Sequence, residues 1–511
     1  MSTLDAASLQ VLISRLTAIA DEMGAVLRRA AYSPNIKERA DCSAAVFTAS
    51  GELLVQAELI PVHLGSMPAS VAAAIDAFGP DGLAPGDQVI LNDPYAGGTH
   101  LNDVTLVMPV FSASGDGALI GWVANRAHHA DVGGMAPGSI PPDAVEIHQE
   151  GLRLPPVRLS DDVVSIFVAA SRTPDERRGD LDAQIGANLL GASRLQAFAG
   201  APVDEVVDYG ERRMRAALAA LPDGTWTFSD VVDGSTIRLA LTVSGDSAVF
   251  DFTGSDPQQR DGNVNAVSAV TVSCVSYALR SATDPTIPAN GGAMRPVRVV
   301  APPGSIVAAT FPAAVGAGNV EVSQRIADVC LGALASLSPR VGAADQGTMN
   351  NVLIGGSSFV YYETIGGGQG GRPSVGAQPG MSGVHTGMTN TRNTPIEAFE
   401  RAFPMRVLRY RLRSGSGGAG ASPGGDGIER DVLVLEDVTV SLITERRDTQ
   451  PWGLNGGSPG ASGENWLLPG GDEARAEMLP AKCTLHLKAG DVLRMLTPGG
   501  GGWGPPPAHA R

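Results

Sequence analysis

Apolar residues spaced three and four positions apart mark the first predicted element of the chain. One stripe of this kind predicts an amphipathic helix that ends near Ser33-Pro34, because proline disfavours helix in the residue before it. The short apolar runs 44–47 and 53–57 flank Ser50-Gly51 and predict a β-hairpin. The stripe of the helix consists of Leu9, Leu12, Leu16, Ile19, Met23 and Val26.

Beyond the hairpin, helical and strand patterns follow each other in mixed order. Helices are predicted over 65–78, about 181–221, 265–280 and 322–337. Short apolar runs bounded by Gly, Asp and Pro predict strands over 89–91, 105–108, 119–123, 432–435, 438–443 and 484–487, and 226–252 alternates like a set of strands. The fold class predicted is therefore α+β, a large composite of mixed sheets and helices with a β-rich C-terminal part.

Composition and the absence of certain motifs exclude or disfavour several classes of binding partner and location. Of the 511 residues, 43% are hydrophobic, enough for a large core, and 37 Lys+Arg against 53 Asp+Glu give a net charge of −16, which disfavours a nucleic-acid partner. The sequence has three lysines and no Gly-x-x-x-x-Gly-Lys-Ser/Thr run, so it contains no P-loop. No apolar run is long enough for a membrane span, no signal-peptide pattern opens the chain, and the four cysteines form no Cys-x-x-Cys pair. We therefore expect a cytoplasmic protein.

Two histidine clusters carry the strongest chemical signal. His100 and Asp103 lie three residues apart beside Gly97-Gly98, and His128 and Asp131 repeat that spacing before Gly133-Gly134. Both clusters adjoin predicted strands, and imidazoles combined with carboxylates suit a divalent Mn, Zn or Fe ion. The ordinary alternative is that each histidine is a hydrogen-bonded core or surface residue. His63 and His385 are possible further contributors.

Two other polar runs allow a structural and a functional interpretation. Residues 33–41 place Lys37, Glu38, Arg39 and Asp41 together, a pattern typical of a solvated face. Residues 389–395 are rich in amide and hydroxyl groups that suit a polar heterocycle. The same run also fits a helix start capped by Thr394.

Several long motifs resemble the hydantoinase B family. This family includes the B subunit of ATP-dependent hydantoinases, the C-terminal half of 5-oxoprolinase and a subunit of acetone and acetophenone carboxylases. The resemblance extends from Leu9 to Trp503, and it implies that the terminal glycine run is a folded signature instead of a flexible tail. The motifs are 92–103, 127–134, 138–143, 150–156, 318–325, 346–351, 385–397, 424–427 and 497–503.

The resemblance implies a division of labour between two subunits. An A-type, ATP-binding partner would use ATP with Mg to phosphorylate a five-membered cyclic amide such as a hydantoin or 5-oxoproline. The present chain would then complete hydrolysis at its metal site, within a hetero-oligomer. An ATP-dependent ketone carboxylase subunit and a non-catalytic scaffold for the A-type partner are the alternatives.

The resemblance also assigns roles to particular residues. The implied metal ligands are His100, Asp103 and His128, and Asp131 would orient an imidazole. The candidate catalytic residues are Asp131, Glu38 and His385, and the candidate substrate-binding residues are Asn390, Thr391 and Asn393. We expect one hydantoinase B-like chain, 1–511, with a metal-site region at 1–215, a mixed α/β substrate region at 216–400 and a β-rich region at 401–511.

Overall fold

The computed structural model describes residues 4–57, 60–79, 82–115, 117–373 and 378–507. Its α-helices are α1 Ala6–Ala30, α2 Pro34–Lys37, α3 Ser66–Phe78, α4 Asp161–Ala170, α5 Pro174–Leu195, α6 Asp204–Ala219, α7 Ser268–Ala282, α8 Gly291–Met294, α9 Ser323–Leu334 and α10 Ile396–Ala402. Its strands are β1 Cys42–Phe47, β2 Leu53–Gln56, β3 Val89–Leu91, β4 Asp103–Phe111, β5 Leu119–His128, β6 Val157–Arg158, β7 Gly224–Val232, β8 Ser235–Ser244, β9 Ser247–Asp251, β10 Val297–Val300, β11 Asn351–Gly355, β12 Val360–Glu363, β13 Met405–Arg413, β14 Gly427–Val434, β15 Val438–Ile443, β16 Glu464–Leu468, β17 Glu477–Leu479, β18 Lys482–Leu487 and β19 Val492–Leu496.

The first sheet is antiparallel and is covered on both faces. Its strand order is β2-β1-β5-β4-β3-β6. Alternate side chains of a strand point to opposite faces, so Ala44 and Val46 pack with α1 and α5 while Ala45 and Phe47 pack with α3. Burial on both faces explains why these strands read as continuous apolar runs in the sequence.

Three further sheets complete the α+β fold that the sequence predicts. Their orders are β10-β9-β8-β7, β12-β11-β15-β18 and β13-β14-β19-β16-β17. The β11–β12 hairpin and strands β15 and β18 belong to one sheet, so strands from both sides of residue 400 are hydrogen-bonded together. The second and third of the three expected regions therefore share a sheet.

The predictions of one helix's extent and of one helix cap are wrong. The helix expected over about 181–221 is two helices, α5 and α6, separated by a segment that contains Pro202. Thr394 caps no helix, because α10 begins at Ile396 and the Thr394 amide donates to the Glu363 carboxylate instead.

Glycine-rich segments from distant parts of the chain lie side by side. The Gly418 amide donates to Gly500, the Gly371 amide to Gly501, and the Gly500 amide to Gly425. A Cβ at Gly500 would lie 2.1 Å from the Gln369 carbonyl oxygen, so only glycine allows this close approach. The terminal glycine run is therefore folded. Among the helices of the described ranges, none has both the length and the apolar character to cross a membrane.

Candidate metal centre

Antiparallel pairing brings the two histidine clusters together at one edge of the first sheet. Asp103 begins β4, His128 ends β5, and the two residues are direct cross-strand partners. His100 lies in the turn before β4, where its carbonyl accepts from the Asp103 amide at 3.1 Å. Because the register of β4 and β5 pairs Asp103 with His128, the two short motifs lie together and can form a single site.

The carboxylate of Asp103 lies between two imidazoles. Its Oδ1 is 3.3 Å from His100 Nε2 and 3.5 Å from His128 Nδ1. One potential ligand atom from each of the three residues lies within 4.8 Å of the others. All three side chains are at most 3% exposed, and the imidazole centroids are 4.9 Å apart.

The electrostatics of this cluster suit a cation. Burial pushes the pKa of Asp103 upward, but its contacts with the imidazoles of His100, His128 and His63 outweigh burial and hold that pKa well below its usual range. Burial lowers the pKa of His128 to about 3, so this imidazole is neutral and able to ligate a metal. Both ring nitrogens of His100 and Nε2 of His128 are buried with no hydrogen-bond partner in the part of the chain described. Two imidazoles and one carboxylate form a donor set that fits Zn, Mn or Fe.

The second oxygen of Asp103 is held by two other side chains. Thr99 Oγ1 donates to Oδ2 at 2.5 Å, and His63 Nε2 lies 3.5 Å from the same oxygen. Since a carboxylate only accepts, Nε2 of His63 carries the hydrogen and Ser43 Oγ donates to Nδ1 at 2.7 Å. These contacts fix the carboxylate plane and leave Oδ1 facing His100 and His128.

An aromatic ring fixes the orientation of His128. Tyr362 stacks on this imidazole with centroids 4.4 Å apart and planes at 11°. The Tyr362 hydroxyl donates to Asn351 Oδ1 at 2.8 Å, and Asn351 Nδ2 donates to Glu321 Oε1 at 2.7 Å. Sequence reasoning did not find this chain of contacts, because its members come from β11, β12 and the π-helical turn Gly318–Val322.

Asp41 is a further acidic residue at the centre, and the sequence had placed it on a solvated face. It precedes β1, its carbonyl accepts from the His128 amide at 3.0 Å, and it is 7% exposed. Burial raises the pKa of Asp41 to about 7, against the opposing charge of Arg39 at 4.0 Å. With Asp103, His128 and Thr391 it lines a cavity of about 20 Å³. That volume accommodates an ion or a water but no heterocycle.

The whole-chain comparison identifies the family. The hydantoinase B/oxoprolinase family model matches residues 5–506. The chain belongs to this family.

Relatives of this hydantoinase B/oxoprolinase chain have different lengths. An uncharacterized protein of Methanocaldococcus jannaschii is 41% identical over 98% of the chain and 91% of its own length. The 5-oxoprolinase 1 of Arabidopsis thaliana is 38% identical over 98% of the chain, but only 42% of the plant protein is covered. A Pseudomonas protein, provisionally named as the B subunit of a D-/L-hydantoinase, is 32% identical over 99% of the chain and 91% of its own length.

Two solved structures share the fold. The ATP-dependent caprolactamase from Pseudomonas jessenii superposes with a TM-score of 0.90 at 27% identity, covering 99% of this chain and 93% of the other. Acetone carboxylase gives a TM-score of 0.87 at 20% identity, covering 97% of this chain and 75% of the other, a likeness of fold alone.

Two of the candidate catalytic residues, Asp131 and Glu38, are not among the residues that line the small cavity. The Asp131 carboxylate accepts from Arg172 Nη1 at 2.9 Å, from the Arg172 amide and from two glycine amides, and these contacts join loops instead of orienting an imidazole of the centre. Glu38 is half-buried just after α2, outside the residues that line the cavity. Their catalytic roles stay predictions without geometric support.

The residues of the 385–397 motif have separate positions. Thr391 lines the metal cavity, whereas Asn390 lines a neighbouring one. Asn393 Nδ2 donates to Glu363 Oε1 at 3.1 Å, within a buried ion pair between Glu363 and Arg430. Burial, aided by the charge of Arg39, lowers the pKa of His385 to about 4. His385 and Asn393 are absent from the lining of the metal cavity, and their catalytic and substrate-binding roles stay predictions.

Proposed function

We propose that this chain is the metal-dependent B-type subunit of an ATP-dependent hydrolase that opens a five-membered cyclic amide. In this proposal an A-type partner phosphorylates the amide oxygen with ATP and Mg, and the present chain completes hydrolysis. The buried cluster of His100, Asp103 and His128 is the observation that carries the proposal. Relatives named as 5-oxoprolinase and caprolactamase support the cyclic amide as substrate class.

The residues of the chain have distinct roles in this reaction. His100, Asp103 and His128 would hold a divalent cation, which when bound supplies Lewis-acid activation of water and of a carbonyl. His63 and Thr99 hold the Asp103 carboxylate, and Tyr362 holds the ring plane of His128. Asp41, whose pKa burial raises to about 7, would accept a proton from the attacking water. For each ring opened, one ATP and two waters are consumed, one water to cleave the C–N bond of the ring and one to release the phosphoryl group, and the ring-opened product, ADP and phosphate are released.

Reconstitution with an A-type subunit tests this function. The complex, loaded with Mn or Zn, is incubated with ATP, Mg and either 5-oxoproline or hydantoin, and ring-opened product and ADP are measured. We expect equal amounts of the two products and a loss of at least 100-fold in the His100→Ala complex. Fixation of labelled bicarbonate into acetone or acetophenone, without ring opening of either heterocycle, would identify a carboxylase instead. Full activity of the His100→Ala complex would contradict a catalytic metal site and would support the alternative in which this chain is a non-catalytic scaffold for the A-type subunit.

A further inference from the structure

A second, larger cavity adjoins the metal cavity. Its volume is about 260 Å³, near the roughly 300 Å³ at which small-molecule sites begin. The walls come from the end of β2, from the turn Pro61–His63 and the residues beside it, and from the C-terminal half of α7. The 20 Å³ metal cavity is too small for a whole ring, so a ring bound near the metal would have to extend into a neighbouring space.

The wall between the two cavities is thin and is made by two short segments. Ile60 lines both cavities. On the other side, Thr389 and Thr391 line the metal cavity while Asn390, between them in the chain, lines the larger one. A ligand in the larger cavity is therefore separated from the metal centre by one layer of side chains.

A buried carboxamide gives the larger cavity a specific chemistry. Gln56 lies on its wall, is 4% exposed, and its Oε1 has no hydrogen-bond partner among the residues that the structure describes. Leaving such an atom unpaired is unfavourable, and a hydrogen-bond donor on a ligand would supply the missing partner. A small-ring amide is held cis, so its N–H and C=O lie on one edge and match the adjacent C=O and NH₂ of a glutamine.

The remaining walls suit a small ring that also carries a negative charge. Ile60, Leu64 and Tyr277 provide apolar surface. Arg280 brings a guanidinium group to the same cavity, held in place by hydrogen bonds from Nε to Ile287 O at 3.0 Å and from Nη2 to Pro285 O at 3.4 Å. A carboxylate on the ring, as in 5-oxoproline, would be attracted to Arg280.

We propose that this cavity is the substrate chamber of the enzyme, where Gln56 recognises the N–H and C=O edge of a cyclic secondary amide. The proposal rests on the proposed hydrolase function and adds to it the residues that select the substrate class. Ile60 and Asn390 form the passage from the chamber to the metal centre. Asn393, predicted from the sequence as a substrate-binding residue, has no part in this chamber.

Binding to the full metal-loaded chain tests the chamber directly. Calorimetric titration with 5-oxoproline is compared with titration of its N-methyl derivative, which lacks the N–H donor. In the wild type we expect the N-methyl compound to bind at least fivefold more weakly. In Gln56→Met, which keeps the side-chain volume, 5-oxoproline should bind at least fivefold more weakly and the preference over the N-methyl compound should fall below twofold.

Two bulky variants locate the ligand. Ile60→Trp fills the chamber and should weaken 5-oxoproline binding at least tenfold. The neighbouring 540 Å³ cavity shares Gln56 and Arg280 with the chamber, but its lining includes Ile13 and neither Ile60 nor Asn390. Ile13→Trp enters that cavity and should leave binding unchanged if the ligand lies on the Ile60 side of Gln56. Thermal unfolding of each variant verifies that the fold is retained.

Different results would contradict the substrate-chamber proposal and the proposed hydrolase function. No binding to the wild type, an unchanged N-methyl discrimination in Gln56→Met, or blockage by Ile13→Trp in place of Ile60→Trp would each reject the chamber. Should the reconstituted complex still open the ring in that case, the hydrolase function stands and only the chamber is wrong. Binding as expected without ATP-driven ring opening would reject the hydrolase and leave a cyclic-amide site.

Discussion

Asp103 has each of its two carboxylate oxygens assigned to a different task. Oδ1 faces His100 and His128, and Oδ2 faces Thr99 and His63. If the cluster is a metal centre, His100→Ala and Asp103→Ala should each lower the bound metal from near one equivalent to below about one tenth. His486→Ala, a histidine on strand β18, is the matched control and should keep its metal. Elemental analysis of protein from metal-replete cells decides this, and unchanged metal in both site variants would contradict the assignment.

His63 is expected to act on the metal through Asp103. Partners of this kind typically change metal affinity by about 10–100-fold when removed. His63→Ala should therefore weaken metal binding by that factor without abolishing it, as measured by competition with a chelator. Ser43→Ala removes only the donor to His63 Nδ1 and should have a smaller effect in the same direction. An affinity in His63→Ala as low as in His100→Ala would mean that His63 is itself a ligand.

Glu150 gives the folded chain a specific pH dependence. Its Oε1 accepts from the Val315 and Gly316 amides at 3.0 and 2.8 Å, and burial raises its pKa from 4.5 to about 8. Between these values the folded state holds a proton that the unfolded state releases, so this contribution to stability is complete below pH 4.5 and is lost as the pH rises to about 8. The loss is on the order of a few kcal/mol.

Glu150→Gln should remove that loss, because a carboxamide stays neutral and keeps the acceptor. The unfolding midpoints of wild type and variant should be similar near pH 5, and the variant should become the more stable as the pH approaches 8. The exposed Glu397→Gln is the control and should follow the wild type. Parallel pH profiles of Glu150→Gln and wild type would show that Glu150 is ionised in the fold.

The sequence grouped the three candidate ligands that lie close to one another along neighbouring strands, but it missed Asp41, which joins them through a longer-range strand pairing. His100, Asp103 and His128 flank β4 and β5, so a short hairpin unites them. Asp41 joins them only because β1 pairs with β5. The charged run 33–41 resembles a solvated surface in the sequence because β5, the strand that pairs with β1 beside it, lies more than 70 residues further along the chain.

At the scale of elements, the glycine-rich segments pack against one another at positions that only glycine can occupy. Gly500→Ala would place a Cβ 2.1 Å from the Gln369 carbonyl oxygen and 2.3 Å from its carbonyl carbon, and both are backbone atoms that cannot rotate away. We expect a destabilisation of at least about 2 kcal/mol, since overpacking costs about 1–3 kcal/mol or more. Denaturant unfolding measures it.

Gly186 in α5 provides the control for this substitution. A Cβ at Gly186 meets nothing within 4 Å, and alanine favours helix over glycine by about 1 kcal/mol. Gly186→Ala should therefore be neutral or slightly stabilising. If Gly500→Ala and the wild type had equal free energies of unfolding, the glycine segments could move apart to accommodate the Cβ without loss of stability.

Hydrophobic periodicity predicted the type of each secondary-structure element better than its first and last residues. The stripe from Leu9 to Met23 is buried in α1 as expected, but its last member is Leu27, while Val26 is 37% exposed. The helix predicted over about 181–221 ends at Leu195, and the segment before α6 contains Gly200, with a positive φ of 76°, and Pro202. Periodicity counts apolar positions, and it does not register a break when the helices on both sides of it bury apolar faces.

At the scale of the whole molecule, the chain is expected to depend on a partner for ATP. It has no P-loop, and two of its three lysines are engaged in ion pairs, Lys482 with Glu445 at 2.7 Å and Lys488 with Asp437 at 2.7 Å. In the 5-oxoprolinase 1 of Arabidopsis thaliana, more than half of the length lies outside the region that this chain matches. The proposed function assigns the phosphorylating activity to a separate A-type subunit.

The purified chain, given ATP, Mg, a divalent transition metal and 5-oxoproline, should release ADP at less than about one hundredth of the rate of the reconstituted complex. Adding the A-type subunit should restore both ADP release and ring opening, because phosphorylation turns a resonance-stabilised amide into an electrophile with a good leaving group. In the complex that contains Asp103→Ala, ADP release should exceed ring opening, since phosphorylation continues while the second step fails. Ring opening by the single chain at the rate of the complex, and its loss in Asp103→Ala, would place both half-reactions on this polypeptide.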